Sequence, residues 1–371
     1  IMLPKAINYL IRISDVSSIV ANILKQEMLS LGADVAVSRD VLTAKDTRTD
    51  CLLIGTLSQI GYLFEKLRLQ PFGLDRLSKQ LAVLVRNYQK EQFCVTAREK
   101  KIHLTCRAHL MGIVNLTPDS FSGDGLYKSS SVQCIVDRIK QLVEDGADSI
   151  DIGGESTRPG AKSVSLKEEL QRTIPVIKEA AKKIKVPLSI DTCKPEVARQ
   201  ALDNGASLVN DITGLRSPGM AKIVARYKAG VVIMHMQGDP RSMQRHPQYS
   251  SLMNELITFL ASGIERAAHA GIDRQNIIID PGIGFGKTQA HNLEVLHKLA
   301  ELKILGCPIL VGPSRKSFIG KILNQQPQER LAGTLAACVV AAHQGAHMFR
   351  VHDVKQVRQA LKVADAITTL C

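Results

Sequence analysis

The sequence predicts an α/β protein: a (β/α)8 barrel preceded by a small α/β or α+β domain. Three observations carry this. From about residue 108, short β-branched runs alternate with helical segments eight times. Those units fill residues 108–371, close to the roughly 250 residues such a barrel takes. The first run leads into Asn115-Leu116-Thr117-Pro118-Asp119-Ser120-Phe121-Ser122, where a doubly wound dinucleotide-binding sheet would need a Gly-rich turn.

The amino-terminal domain, assigned to residues 1–107, opens with a strand over Lys5–Ile13. A helix follows over Ser17–Leu31, with Ile19, Ile23, Leu24, Met28 and Leu31 on one face. A second strand covers Asp50–Leu57, and a second helix covers Leu74–Gln89 with Leu77, Leu81, Leu84, Val85 and Tyr88 inward. No motif here attaches to chemistry. The barrel domain, residues 108–371, has strands at Leu110–Val114, Ser149–Ile152, Leu188–Asp191, Leu208–Asp211, Val231–Met234, Ile277–Asp280, Ile309–Gly312 and Met348–Val351. Helices are expected at Ser131–Asp145, Leu166–Lys185, Pro195–Asn204, Pro218–Tyr227, Ser251–His269, Ala290–Leu302, Pro327–Gln344 and Val354–Leu370.

Composition narrows the function. With 45% hydrophobic and 22% charged residues, the 371-residue chain is globular and not disordered. It has no Trp and only 4% aromatics, which argues against stacking on single-stranded nucleic acid. The net charge of +13 comes from scattered Lys and Arg without a block of like charge, so no nucleic-acid partner is expected. No run of 18 apolar residues occurs, and Ile1–Lys5 does not open a secretory signal, so no membrane partner is expected. The eight Cys form no Cys-x-x-Cys, which fits reduced thiols in a cytoplasmic protein.

In a barrel, chemistry gathers at the carboxyl ends of the strands. This chain places polar groups at nearly every such end. Asp191, Asn210, Asp280 and Lys316 can form a ring of donors and acceptors around a heterocycle with an amidine or guanidine-like edge, whose paired N–H groups match a carboxylate. Arg158, Arg350 and His352 make a separate cationic set that, with the loop Gly153–Gly160, suits a phosphate or diphosphate. Asn115 can offer an oxygen to Mg2+, which takes few protein ligands beside phosphate oxygens. Side-chain alternation sends Asp211 away from the site, and Asp151 is given the same structural role. His235 stands between a backbone-bonding and a chemical role. His343 and His347, four apart on an expected helix, lack a third ligand and are placed on the surface. Gly284-Phe285-Gly286-Lys287 is not a nucleotide P-loop.

Residues 108–371 closely resemble the dihydropteroate synthase family. The resemblance rests on eight segments in the family's order: residues 111–122 just quoted in part, Gly154-Glu155-Ser156-Thr157-Arg158-Pro159-Gly160, Ser189-Ile190-Asp191-Thr192, Val209-Asn210-Asp211, Met234-His235-Met236-Gln237-Gly238, Asp280-Pro281-Gly282-Ile283-Gly284-Phe285-Gly286-Lys287, Ser314-Arg315-Lys316-Ser317 and Arg350-Val351-His352-Asp353-Val354. It implies a transferase of folate biosynthesis that joins 6-hydroxymethyl-7,8-dihydropterin diphosphate to p-aminobenzoate, with Mg2+, as a homodimer. By motif, Asp191, Asn210, Met234, Asp280, Phe285 and Lys316 correspond to the pterin site. Thr157, Arg158, Pro159, Phe285, Lys316 and Ser317 correspond to the aminobenzoate site. Asn115, Thr157, Arg158, Arg350 and His352 correspond to the diphosphate site, with Asn115 on the metal. Asp191, Lys316, Arg350, His352 and Arg158 are then the catalytic set. The family's chemistry ionises the C–O bond first, under loops that exclude water, and Asp119 and Arg158 are candidates to link those loops.

Two features depart from the family. The first loop reads Ser120-Phe121-Ser122-Gly123-Asp124-Gly125 where the family has Ser-Phe-Ser-Asp-Gly-Gly. The 107-residue extension has no Asp/His cluster for two Mg2+ ions, so a docking, dimerisation or stability module is expected there rather than a pyrophosphokinase. The rival is a pterin-dependent methyltransferase acting with a corrinoid protein, which would not need Ser-Thr-Arg-Pro-Gly or Ser-Arg-Lys-Ser. A non-catalytic pterin-binding module would be expected to lack site residues, and none is missing.

Overall fold

The computed structural model describes residues 2–42, 47–105, 107–117, 131–156, 163–239 and 242–368. The chain forms two compact units, Ile1–Asn87 and Tyr88–Cys371. The first holds an antiparallel sheet in the order β1 (Asn8–Ser17), β3 (Arg48–Thr56), β2 (Asp34–Val37). Helices Ser18–Ser30, Leu57–Leu67 and Leu74–Tyr88 supply Leu24, Met28, Ile60, Leu63, Leu67 and Leu81 to one core with Ile11, Val35, Cys51 and Leu53 of the sheet. The expected strand from Lys5 starts later, because Pro4 opens a one-turn helix over Leu3–Ala6. The helix at Leu57 was not expected. Its signal is Thr56 with Gln59 three residues on, which close a capping box.

The units divide earlier than the expected boundary after residue 107. The reason is a hairpin, β4 (Phe93–Ala97) and β5 (Lys100–Leu104), turned through Arg98 at φ 58°. Its inward residues Phe93, Val95, Ala97, Ile102 and Leu104 share a core with Met111, Leu208, Val232, Ile278, Leu310 and Met348 inside the barrel. The hairpin thus plugs the amino-terminal end of the barrel.

The barrel strands are β6 (His109–Asn115), β7 (Ser149–Gly153), β8 (Leu188–Asp191), β9 (Leu208–Asp211), β10 (Gly230–Met234), β11 (Ile277–Asp280), β12 (Leu310–Val311) and β13 (Met348–Val351). They pair in parallel in the order β11-β10-β9-β8-β7-β6-β13-β12, and a bridge between Ile279 and Ile309 closes the ring. The barrel predicted from sequence is therefore present, and solved relatives described below share it. Helix boundaries shift in two places. The expected helix Ala290–Leu302 becomes an α-helix over Gln289–His297 and a 3-10 run over Leu299–Leu305. The segment after β12 holds a helix at Ser317–Leu323, a 3-10 turn at Pro327–Glu329 and a helix at Leu331–His343.

Alternation along the strands sorts the residues. Ile150, Ile152, Ile190, Val209, Val231, Ile233, Ile279 and Val351 pack outward with the helices. Their neighbours point into the barrel, and there lie Asp151, Asp191, Asn210, Met234, Asp280 and Arg350.

Candidate active site

A cavity of about 370 Å³ opens at the carboxyl ends of the strands. Asn115, Asp191, Asn210, Met234, Asp280, Phe285, Lys316, Ser317, Arg350 and His352 all line it. The structure thus brings together every described residue of the expected site. Thr157, Arg158, Pro159, Asp119 and Asp124 lie outside the described residues.

At the floor, Arg350 sits between two carboxylates. Its Nε donates to Asp151 Oδ2 at 2.6 Å and one Nη donates to Asp191 Oδ2 at 2.7 Å. Asp151 Oδ2 also accepts from Asn210 Nδ2 at 3.0 Å. Arg350 is therefore not part of a separate cationic set; it ties the phosphate side of the site to the carboxylate side. Asp151 keeps the expected structural role, holding Arg350 and Asn210, but it faces inward rather than away. Flanking Ile150 and Ile152 face outward, so Asp151 must face in, and it is fully buried. Asp211 does behave as expected: it accepts from Thr213 N and Leu215 N and fixes a turn.

Burial sets the charge on these groups. It pushes Asp191 up to about 7, with the nearby Asp151 and Glu169 adding to it and Arg350 opposing it. It pushes Asp280 up to about 6 against the Gly282 N–H, which donates to Asp280 Oδ1 at 2.7 Å, and against Lys316. Asp191 Oδ1 and Asn210 Oδ1 are buried acceptors with no hydrogen-bond partner among the described residues.

The loop after β11 is shaped by Gly282, Gly284 and Gly286, all at positive φ. A Cβ at Gly282 would meet the His235 carbonyl oxygen at 1.9 Å, so only Gly fits. The loop then returns Lys287 to the interior. Its Nζ donates to Gly282 O at 3.0 Å and Phe285 O at 3.1 Å and bonds His235 Nδ1 at 2.9 Å. Burial drops Lys287 from 10.5 to about 7. His235 is likewise held neutral by burial and Lys287, and it packs edge-on against Phe259. Neither role was readable from sequence. The loop presents Phe285, and Lys316 Nζ lies 4.3 Å from its ring centroid.

On the other side, Ser314 Oγ accepts from the His352 backbone N–H at 3.2 Å and lies 3.0 Å from His352 Nδ1. Arg315 pairs with Asp353 through Nε at 2.9 Å. The start of the loop after β7 is anchored by a buried network that sequence reading also missed. Lys194 bonds both Glu155 and Glu169, Thr192 donates to Glu169 at 2.7 Å, and Arg172 donates to Gly154 O at 2.8 Å. His343 is exposed as expected, but His347 is half-buried, edge-on against Phe93 with Nδ1 accepting from Ile309 N. The helix stops at His343 and Gly345 turns the chain at φ 92°, which breaks the four-residue spacing. Among the described residues no three His, Cys, Asp or Glu cluster for a metal ion.

The family model for pterin-binding enzymes matches residues 111–352. The chain belongs to the pterin-binding enzyme family. Its pterin-binding barrel is 50% identical over 263 residues to the dihydropteroate synthase of Synechocystis, covering 70% of this chain and 90% of that one. A probable bifunctional folylpolyglutamate synthase/dihydropteroate synthase of Halobacterium salinarum is 39% identical over 352 residues, 94% of this chain and 42% of that one. That match extends beyond the pterin-binding barrel into the amino-terminal unit. Among solved structures, Xanthomonas albilineans dihydropteroate synthase with 4-aminobenzoic acid superposes with a TM-score of 0.69 at 44% identity, covering 75% of this chain and 98% of that one.

Proposed function

We infer that the chain catalyses the dihydropteroate synthase reaction. 6-Hydroxymethyl-7,8-dihydropterin diphosphate and p-aminobenzoate give 7,8-dihydropteroate and diphosphate. The observation that carries this is the pair of buried acceptors unpartnered among the described residues, Asp191 Oδ1 and Asn210 Oδ1, lining one cavity with Asp280. Leaving such atoms unmet costs about 1–3 kcal/mol each, so the site is built for a ligand rich in N–H donors. The amino-pyrimidinone edge of a pterin supplies them. Met234 and Phe285 flank its ring, and Lys316 donates to its ring acceptors.

The diphosphate lies toward Arg350, His352, Asn115 and Thr157–Arg158. Arg350 and Arg158 counter the negative charge that grows as the methylene C–O bond breaks, with His352, Asn115 and Thr157 as polar partners. The pterin ring spreads the positive charge left on the methylene, and the Asp191 carboxylate supports it across the barrel floor. The amine nitrogen then bonds to that carbon and sheds a proton to solvent. Thr157, Arg158, Pro159 and Ser317 hold the acceptor, with the Ser317 hydroxyl donating to its carboxylate. No all-protein cage for a divalent cation exists among the described residues, yet Asn115 offers a neutral oxygen on the cavity wall. That donor set fits Mg2+ carried mainly by phosphate oxygens and water, where it would neutralise the leaving group.

The same reading includes a homodimer. Helix Leu331–His343 is apolar on nearly every side and exposes Ala332, Ala336 and Val340, a stripe suited to a second copy. No described helix is long and apolar enough to cross a membrane. The extension is proposed as a docking, dimerisation or stability module. The test is diphosphate release with and without p-aminobenzoate. Acceptor-dependent release is expected. Release that ignores the acceptor, or methyl transfer from methyltetrahydrofolate in its place, overturns the reading.

A further inference from the structure

The active-site cavity must receive two anions, the diphosphate and the acceptor's carboxylate. Yet carboxylates stand among its described lining residues: Glu155, Asp191 and Asp280. Asp191 and Asp280 take the pterin in the reading above. Glu155 has no such ligand, and both of its oxygens are turned to the protein. Oε1 accepts from the Val164 N–H at 3.2 Å, and Oε2 pairs with Lys194 Nζ. Val164 stands near the far end of the loop that begins after β7, so this one carboxylate ties the two ends of that loop together. Lys194 stands behind Glu155, outside the described lining, one residue before the helix Pro195–Asp203. Its ammonium also pairs with the buried Glu169, which accepts from Thr192 Oγ1 at 2.7 Å. Its backbone N–H donates to the same Thr192 oxygen at 3.1 Å. Lys194 is therefore fixed at its backbone and at its head.

We propose that Lys194 is a positioning residue for the anionic acceptor: it draws the Glu155 carboxylate back from the cavity and offsets its charge, so that this wall can receive a second anion. This rests on the reading that the loop after β7 holds the acceptor. Lys194 touches no substrate and acts only through Glu155. Without the ammonium, Oε2 is released and a bare carboxylate faces the acceptor's own. Like charges a few ångströms apart at a half-buried site weaken binding by about tenfold or more. The pterin diphosphate is spared. Its ring is held by Asp191, Asn210 and Asp280 from β8, β9 and β11, and its phosphates by Arg350 from β13.

The test measures diphosphate release by the full chain. Every variant carries Glu169→Gln, which keeps an acceptor for Thr192 and leaves no charge stranded in the interior when Lys194 is lost. Against Glu169→Gln alone, Lys194→Met/Glu169→Gln should raise KM for p-aminobenzoate about tenfold, with kcat and the KM for the pterin diphosphate changed by less than about threefold. Adding Glu155→Gln removes the bared charge and keeps an acceptor for the Val164 N–H. It should bring KM for p-aminobenzoate back to within about threefold of Glu169→Gln alone. A merely structural loss would not recover, because the ion pair is still missing. An unchanged KM in Lys194→Met/Glu169→Gln overturns the proposal, as do equal rises for both substrates or no recovery with Glu155→Gln. Absence of acceptor-dependent release from the parent chain refutes the assigned reaction, and the proposal with it.

Discussion

Lys287→Met should change how stability depends on pH. The Lys287 side chain is 2% exposed and its ammonium is held by two carbonyls and His235. Burial lowers its pKa from 10.5 to about 7. The folded protein therefore releases this proton earlier than the unfolded chain. Between pH 7 and 10.5 the unfolded state holds more protons, so folding stability climbs with pH. The gain is complete above 10.5, is lost as pH falls toward 7, and is absent below that. The full displacement corresponds to about 5 kcal/mol, and the steepest slope is about 1.4 kcal/mol per pH unit.

Methionine has similar length and does not titrate. It also strands the Gly282 and Phe285 carbonyls, at about 1–3 kcal/mol each. That second cost does not vary with pH, so the two effects separate. Urea unfolding of both proteins at pH 7 and pH 9 should show the parent's advantage growing by about 2–3 kcal/mol over that interval. The variant should also raise KM for the pterin diphosphate, because Phe285 loses the loop geometry that presents it. Parallel stability profiles for the two proteins would refute the claim that Lys287 is buried against its charge.

Two further outcomes follow from the barrel floor. Arg350→Met leaves Asp151 and Asp191 as neighbouring buried carboxylates, and urea unfolding should show a loss of about 3–5 kcal/mol, together with loss of turnover. The Asp280 carboxyl, raised to about 6 by burial, offers both oxygens as acceptors to the pterin's N–H groups only when ionised. With Asp191 at about 7 and Asp280 at about 6, kcat/KM for the pterin diphosphate should fall as pH drops below 7 and fall more steeply below 6, and Asp280→Asn should remove the steeper part while leaving the Asp191 limb; an unchanged steeper part in Asp280→Asn would assign it to another group.

What was legible follows from how a parallel barrel turns sequence position into direction. A strand alternates every residue, so Asp191, Asn210, Asp280 and Arg350 could be aimed at one mouth from the spacing of apolar neighbours alone. The same rule places Asp151 inward, since Ile150 and Ile152 flank it; treating it like Asp211 mistook the parity of its strand. The missed groups share a different property. Lys287 meets His235 across 52 residues, and Lys194 meets Glu155 across 39, each through a loop whose path depends on tertiary contacts. A lysine in Gly-Phe-Gly-Lys has no local reason to turn inward. The glycine at 282 lets the loop pass against the His235 carbonyl, where no Cβ fits, and Lys287 is then met inside by His235, Gly282 and Phe285. The hairpin Phe93–Leu104 was missed for a related reason. Its outer face carries the exposed Cys94, Lys101 and His103, so no continuous apolar run marks it, and Val95, Ile102 and Leu104 are buried only because they pack into the end of the barrel. Chemistry borne on strands is thus written locally, whereas the groups that hold its loops in place are written only in the fold. The pH response of Lys287 is the measurement that reaches that second layer directly.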